Sequence, residues 1–382
     1  MLQFVKYSKI QYFGEKMPTA ISLFAGAGGM DVGVVNAGFT VIAASELDPH
    51  ASNTYRHNHP GTILIEGDID NETNFNQMVS HEGIDLVVGG PPCQGFSVAG
   101  KMDKDDPRSK LVFSYCSVVE QVKPKAFIME NVKALGSLAK FEDVREEIFR
   151  RMNNAGYNVT MNILNAKEFG VPQSRERVFF IGTKIGLPTI EKSGFDKYKV
   201  EAVSLRDAIE HLGRAGSETN PNITNAKITL AAKPVLRKSP YAGMLFNGQG
   251  RPLNPTAWSS TLPASMGGNR TPIIDEDHLY DNKESWIEEH HRQLMEGNLT
   301  PEYKQVPSRL RRLTVDEAAI LQTFPETYEF LGPQSKVFSQ IGNAVPCKLA
   351  EVVARVVLDS IKQTCISKES SKLGNLELDL AI

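Results

Sequence analysis

The chain contains 382 residues, of which 41% are hydrophobic and 23% are charged, and its formal net charge is −3. These values are typical of a globular protein with roughly two or three domains, and the overall charge gives no indication of a nucleic-acid partner. No apolar run approaches the length that spans a bilayer, and the N-terminal residues lack the apolar core of a signal peptide. The four cysteines, Cys93, Cys116, Cys347 and Cys365, form no close pair, so we expect a protein of the reducing cytoplasm, away from membranes, without disulfide bonds or a bound metal.

Short apolar runs alternate with helix-like stretches through the first half of the chain. The predicted strands cover residues 19–26, 40–48, 62–69, 83–90 and 124–132. Helical patterns occupy residues 29–39, the stretch that begins at Pro49, and residues 109–122 and 141–156. This alternation predicts parallel βαβ units in a doubly wound, mostly parallel α/β sheet. Because ligands of such sheets bind at the carboxyl ends of the strands, residues at those ends are the first candidates for function.

The alternation fades near residue 186, and from there to about residue 305 the chain is rich in Gly, Pro, Asn, Ser and Thr. We interpret this region as a second, loop-rich domain. Between Thr219 and Ile274 there is no Asp or Glu, while six cations are present: Lys227, Lys233, Arg237, Lys238, Arg251 and Arg270. The stretch is either an electrostatic surface for phosphate or a polar region that happens to lack acids. Helical patterns return at 313–324 and 346–363, and a frayed tail is expected after them.

A glycine loop, FAGAGGM, follows the first predicted strand and opens a helix. Gly26 and Gly28 fit the dinucleotide-binding fingerprint, but Asp31 occupies the place of its third glycine. An acid beside the helix start would repel a pyrophosphate, which favours a nucleoside-type cofactor without phosphates. Glu46 at the end of the second strand could hold ribose hydroxyls, and Asp68 could accept from an adenine amino group. The alternative is a purely structural strand-to-helix turn.

Cys93 lies in the loop GGPPCQGFS after the fourth predicted strand, and Glu130 ends the fifth. A thiol at this edge could attack a substrate while a neighbouring carboxylic acid donates a proton to it. The alternatives are a small buried thiol and an acid that begins a helix.

Two arginines, Arg175 and Arg177, lie at the start of a further apolar strand. Their spacing of two directs both side chains to one face, where they could grip oxygens of a base or a phosphate. The alternative is a surface salt bridge with a neighbour such as Glu176.

These residues belong to a set of ordered motifs that together resemble the DNA (cytosine-5) methyltransferases. The resemblance spans roughly residues 18–360. It is carried by LFAGAGG, SELDP, GDI, GGPPCQGFS, DPRS, MENV, QSRERVFFIG, RLTVDEAAILQTFP and QIGNAVP. Some members of that family carry an acid where this chain has Ser22, directly before the first motif.

The resemblance implies a Rossmann-like fold that uses S-adenosyl-L-methionine and flips the target cytosine out of duplex DNA. Cys93 would attack C6 of the ring, Glu130 would hydrogen-bond or protonate N3, and Arg177 would hold O2. Arg175 is grouped with these catalytic residues. C5 would then accept the methyl group, and loss of the C5 proton would release Cys93.

By the same resemblance, the cofactor pocket would be lined by residues from both ends of the chain, and the C-terminal helix would pack back beside the first strand. The expected pocket residues are Phe24, Gly26, Gly28, Glu46, Asp68, Ile69, Pro92, Asn343 and Val345. Residues 97–109 resemble the family's mobile active-site loop.

The resemblance also divides the chain. Residues 1–185 and 308–365 would form the catalytic domain, residues 186–307 the target-recognition domain and residues 366–382 a tail. Expected DNA-binding residues are Gln94, Ser97, Thr261 and Arg270, and Arg270 could contact either a base edge or a phosphate.

The expected partner is double-stranded DNA, bound by a monomeric modification enzyme whose cognate restriction endonuclease acts separately. Three alternatives stay open at this point. They are an RNA cytosine methyltransferase acting on transfer RNA, an NAD-dependent oxidoreductase that would leave Cys93 and Glu130 unexplained, and a catalytically dead DNA-binding relative.

Overall fold

The computed structural model describes residues 17–92 and 110–379. The strands are β1 (Thr19–Leu23), β2 (Thr40–Glu46), β3 (Ile63–Glu66), β4 (Leu86–Gly89), β5 (Ala126–Val132), β6 (Tyr157–Asn165), β7 (Gln173–Ser174), β8 (Glu176–Lys184), β9 (Leu230–Val235), β10 (Met244–Phe246), β11 (Ser259–Ser260), β12 (Ile273–Asp275) and β13 (Leu310–Arg312). The helices are α1 (Gly29–Ala37), α2 (Pro49–Asn58), α3 (Glu72–Val79), α4 (Leu111–Val122), α5 (Lys133–Ser137), α6 (Glu142–Asn154), α7 (Leu205–Ile209), α8 (Glu276–Tyr280), α9 (Trp286–Met295), α10 (Val315–Leu321), α11 (Gln334–Asn343) and α12 (Cys347–Asp379).

A seven-stranded sheet with the order β3-β2-β1-β4-β5-β8-β6 forms the centre of the fold. The first five strands pair in parallel, and β8 runs antiparallel to both of its neighbours, β5 and β6. The mostly parallel, doubly wound sheet predicted from the sequence is confirmed. The prediction also placed the fifth strand beside the fourth, as β5 lies beside β4.

The sheet separates two apolar cores, and alternate residues of a central strand contribute to each. In β4, Leu86 and Val88 belong to the core beneath α1 and α12, whereas Val87 belongs to the core beneath α4 and α6. Because successive side chains of a strand point to opposite faces, covering both faces with helices buries every residue of β4. This explains why its sequence is a continuous apolar run.

Helix α12 returns the chain to its beginning by packing on α1. A Cβ placed on Gly33 of α1 would lie only 2.4 Å from the Cys347 carbonyl oxygen, so the two backbones meet at this glycine. The sequence predicted that the helix would end near 363, but it continues to Asp379. No proline follows Pro346, and Lys, Glu and Leu in the added stretch favour helix.

The loop-rich region forms three small two-stranded sheets instead of adding to the central one. Strands β9 and β10 pair antiparallel, as do β12 and β13, and β11 pairs in parallel with β7. The β7–β11 pairing attaches the loop-rich region to the chain just before β8. In the part of the chain that the structure describes, no helix is long and apolar enough to cross a membrane.

Candidate active site

The carboxyl ends of β1, β4 and β5 meet at one edge of the sheet, because these strands are parallel neighbours. The glycine loop leaves β1 at this edge, Gly90 to Pro92 leave β4, and Glu130 lies near the end of β5. Strand β8 runs the other way, so its first residues reach the same edge. Sequence motifs that are more than a hundred residues apart thus converge here.

Glu130 and Arg177 form an ion pair across neighbouring strands. The Arg177 Nε donates to the Glu130 Oε1 at 2.9 Å, and the two side chains are 14% and 12% exposed, respectively. Burial raises the pKa of Glu130, and the guanidinium groups of Arg177 and Arg175 offset part of that rise. Glu130 therefore holds a proton more readily than an ordinary glutamate, while Arg177 fixes the position of its Oε1.

The segment that leads to Cys93 is held against β5. The Asn131 Nδ2 donates to the Pro91 carbonyl oxygen at 3.1 Å, and Asn131 is buried. A Cβ on Gly90 would lie 3.1 Å from the Glu130 Oε2, so a larger residue would press on the carboxylate. Sequence reasoning missed Asn131, although it directly follows Glu130 in the MENV motif.

Three predicted site residues, Cys93, Gln94 and Ser97, lie outside the described residues, as does the whole of the predicted active-site loop, residues 97–109. Cys93 directly follows Pro92 in the chain, one residue beyond the Pro91 carbonyl that Asn131 binds.

Arg175 lies between β7 and β8, and its side chain is directed differently from that of Arg177. It is 1% exposed, and its guanidinium donates to the carbonyl oxygens of Leu262 at 3.1 Å and Gly342 at 2.9 Å. Arg177 contacts Glu130, whereas Arg175 connects the chain before β8 to two distant segments. The geometry gives Arg175 the contacts of a positioning residue.

Glu46 holds the glycine loop in position through a hydrogen bond to its backbone. Its carboxylate accepts from the Gly26 N–H at 2.7 Å and the Asp48 N–H at 2.8 Å, and burial raises its pKa. Phe24, Gly26 and Gly28 all have positive φ values, of 55°, 58° and 86°. The strained Phe24 backbone turns the chain sharply out of β1.

The C-terminal part of the chain covers the glycine loop. A Cβ on Gly29 would lie 3.0 Å from the Val345 carbonyl oxygen, so only glycine permits this close approach. Val345 is buried, and Asn343 is the exposed last residue of α11. Of the remaining predicted pocket residues, Asp68 is exposed after β3, Ile69 beside it is buried and Pro92 is half-buried.

Asp31 lies beneath the same loop and is completely buried. The Ser22 hydroxyl donates to the Asp31 Oδ1 at 2.6 Å, and burial raises the pKa of Asp31 to about 6. The sequence argument treated Asp31 as an acid that faces a ligand. The structure corrects this: its carboxyl is directed to Ser22 of β1, inside the protein.

The two described recognition candidates lie at the surface, and Thr261 lies beside β7. The Thr261 hydroxyl donates to the Ser174 carbonyl oxygen at 2.8 Å, whereas Arg270 is exposed. All six cations of the acid-free stretch are exposed, and no ion pair links any of them to an acid in the described ranges 17–92 and 110–379.

Comparison with solved structures identifies the fold as that of a methyltransferase. The S. pombe Dnmt2 methyltransferase superposes with a TM-score of 0.64 at 20% identity, over 91% of this chain and 99% of that one.

A family model described as C-5 cytosine-specific DNA methylase matches residues 19–359, and the chain belongs to this family. Type II methyltransferase M1.HphI of Haemophilus parahaemolyticus is 34% identical, over 89% of this chain and 86% of its own length. Type II methyltransferase M.NgoPII of Neisseria gonorrhoeae is 32% identical, over 90% and 96%. The protein is therefore a DNA cytosine-5 methyltransferase, as the motifs predicted, and not an oxidoreductase.

Proposed function

We propose that this enzyme methylates C5 of a flipped-out cytosine within one short sequence of duplex DNA, with S-adenosyl-L-methionine as the donor and Cys93 as the nucleophile. The observation that carries the proposal is the Glu130–Arg177 pair, which lies beside the Pro91 and Pro92 that precede Cys93. The type II names of the relatives support a role in modification, with a restriction endonuclease as a separate partner.

The chemistry needs three groups around the cytosine ring. The Cys93 thiolate adds to C6, which makes C5 nucleophilic. Glu130 donates its proton to N3, so negative charge does not accumulate on the ring, and a raised pKa suits this role. An Arg177 N–H donates to O2 as charge develops there. After methylation, a base removes the C5 proton, the electrons of that bond expel Cys93, and N3 returns its proton to Glu130.

The residues around the glycine loop fit a cofactor that carries a nucleoside but no phosphate. S-adenosyl-L-methionine would supply an electrophilic methyl group. The Glu46 carboxylate accepts from the backbone N–H groups of Gly26, Asp48 and Leu47, which use only part of its four lone pairs, so it can also accept from a ribose hydroxyl. Phe24, Asp68, Ile69, Pro92, Asn343 and Val345 complete the proposed pocket, with Gly26 and Gly28 giving the loop its shape.

The acid-free stretch is the proposed DNA surface, within a target-recognition domain at residues 186–307. Its exposed cations have no acid partner in the described part of the chain, so they can neutralise phosphates. Arg270 is the candidate for a base contact. Thr261, whose hydroxyl binds Ser174, would support the recognition segment from its base.

The test is methyl transfer from labelled S-adenosyl-L-methionine to mixed-sequence duplex DNA, with transfer RNA in parallel and sequencing that reports 5-methylcytosine. Label at one recurring short DNA site is expected. Label confined to RNA would overturn the proposed substrate, and cofactor binding without any transfer would indicate a catalytically dead relative.

Glu130→Gln tests the proposed proton donor in the same assay. We expect the rate of methyl transfer to fall by about 10²- to 10⁴-fold, because a positioned acid is lost while shape is kept. Glu120→Gln is the matched control, since Glu120 also pairs with an arginine, Arg151, but outside the candidate site. A loss of less than about threefold for Glu130→Gln would remove Glu130 from the mechanism.

A further inference from the structure

Residues 259–262, here called the anchor segment, connect the loop-rich region to the chain just before β8. Its strand β11 pairs with β7, and the hydroxyl of Thr261 binds Ser174. The last residue of the segment, Leu262, is fully buried. The anchor segment is therefore one of the places at which the proposed recognition domain contacts the catalytic part of the chain, next to the start of β8.

Both backbone polar groups of Leu262 are bound by side chains from the β7 region. The Leu262 N–H donates to the Gln173 Oε1 at 3.0 Å, and its carbonyl oxygen accepts from the Arg175 Nη1 at 3.1 Å. A buried backbone group that loses such a partner costs about 1–3 kcal/mol. Two independent bonds to one residue fix its position more tightly than the short β7–β11 pairing could.

The two clamping side chains are themselves held by a third segment. The Gln173 Nε2 donates to the Gln322 Oε1 at 2.8 Å, and the Gln322 Nε2 donates to the Ile341 carbonyl oxygen at 2.6 Å. Arg175 also donates to the carbonyl oxygen of Gly342. Gln173, Arg175 and Gln322 are all buried, so water cannot replace these bonds.

Movement of Leu262 would be transmitted to Arg270. The intervening loop is closed by a bond from the Gly267 N–H to the Thr271 hydroxyl at 2.9 Å. Its first residues pack on Gly342, where an added Cβ would lie 2.5 Å from the Pro263 carbonyl oxygen. At its far end, the Gly250 N–H donates to the Asn269 carbonyl oxygen and Arg312 donates to that of Thr271, so both ends of the loop are held and Leu262 sets the position of the first.

We propose that Gln173, acting with Arg175 and Gln322, is a positioning residue that sets DNA sequence specificity by fixing Leu262 relative to the Glu130–Arg177 pair. The inference rests on the proposed function. Arg177 lies only two residues beyond Arg175. The hydrogen bonds of Gln173 and Arg175 to Leu262 therefore fix the recognition segment relative to the Glu130–Arg177 pair. A wrong DNA sequence is rejected because the recognition loop cannot shift to accommodate it while the catalytic pair stays in place.

Gln173→Met tests this by removing the side-chain amide hydrogen bonds to Leu262, Leu321 and Gln322 while keeping the length of the side chain. Sequencing of methylated mixed-sequence DNA gives the rate at the wild-type motif and at motifs with one base pair changed. We expect the ratio of these rates to fall by about tenfold, with the KM for the cofactor within about twofold of wild type. Asn162→Leu is the matched control, because it removes a buried amide of β6 that binds Thr160 and not Leu262.

An unchanged ratio would overturn the inference, as would an equal loss of rate on every sequence or the same broadening in Asn162→Leu. If Gln173→Met does not fold, Gln173→Asn, whose amide is one methylene too short to reach both partners, decides by the same ratio. Absence of 5-methylcytosine with the wild-type enzyme would instead overturn the proposed function, and this inference with it.

Discussion

Asp31 is a carboxylic acid enclosed by the protein directly below the glycine loop. Ser22 and Tyr55 both donate to its carboxylate, which offsets part of the rise in pKa that burial causes. The Ser22 position is also where some family members carry an acid. A second carboxylate there would face Asp31 at hydrogen-bond distance, so serine at 22 is compatible with this buried acid.

Asp31→Asn is expected to stabilise the fold at neutral pH. Burial raises the pKa of Asp31 from 3.8 to about 6, so the folded state binds the proton more tightly than the unfolded state. Stability from this group is therefore present below about pH 4 and is lost as pH rises to about 6, a change of roughly 3 kcal/mol.

Urea unfolding of both proteins between pH 4 and pH 8 measures this effect. The free energy of unfolding of Asp31→Asn should exceed that of the wild type by an amount that increases from pH 4 to about pH 7 and is constant above pH 7. Asp70→Asn, at an exposed position, is the matched control. A difference that does not vary with pH would contradict the prediction.

The sequence motifs pointed to Glu130 and Arg177 as site residues because both lie at the ends of predicted strands, and the structure brings the two side chains together. The burial of Asp31 could not be predicted in the same way. Its helix begins at Gly29 and is apolar on most sides, so the pattern does not show which face meets β1. That choice is made by α12, whose packing on α1 depends on residues far along the chain.

At the scale of elements, β4 and β5 act as one unit that holds the segment before the proposed nucleophile. Asn131 joins them beyond the end of the ladder, since its amide donates to Pro91 while its oxygen accepts from the Val132 N–H at 2.9 Å. Parallel pairing ends at Gly89 and Met129, so this bond replaces the next step of the ladder.

Asn131→Ala is expected to lower the single-turnover rate of methyl transfer by about 10²-fold, because a small displacement of Cys93 disturbs its attack geometry. Cofactor affinity, measured by calorimetry, should change little, since Asn131 binds the segment after β4 and not the glycine loop. Asn162→Ala removes another buried amide of the sheet and serves as control. Equal losses in the two variants would make the Asn131 effect a general consequence of destabilisation.

The strands that the sequence did not predict correctly are those whose bounds or positions depend on pairing with another strand. The sequence predicts one strand in which Arg175 and Arg177 share a face, but β8 begins only at Glu176, and the Arg175 side chain is directed to Leu262 and Gly342. Strand β6 was also missed, although apolar and polar residues alternate strictly from Tyr157 to Ile163; its place at the sheet edge depends on pairing with β8, which the local sequence does not show. Such contacts are long-range and leave little trace in a local pattern.

For the whole molecule, charge is unevenly distributed although the net value is only −3. Salt dependence of DNA binding measures this asymmetry. Lys238→Ala is expected to weaken binding to all sequences equally and to reduce the slope of log K against log salt by about 1. Arg270→Ala should weaken binding to the DNA sequence that the enzyme recognises more than it weakens binding to random DNA.

Lys197→Ala is the control for both variants, since Lys197 is an exposed cation already paired with Asp359 and lies outside the acid-free stretch. Equal weakening on both DNAs by Arg270→Ala would make Arg270 a phosphate contact. An unchanged salt slope for Lys238→Ala would remove that residue from the DNA surface.

The hydroxyl of Tyr328 donates to the carbonyl oxygen of Ala27, a residue 301 positions earlier in the chain. While a ribosome synthesises the protein, the glycine loop is therefore uncovered long after it has emerged. At roughly 5–20 residues per second, the wait for Tyr328 is on the order of 15–60 seconds. A nascent chain cannot form this contact before Tyr328 has been synthesised, so the separation of the two residues along the chain sets the earliest time at which the glycine loop is covered.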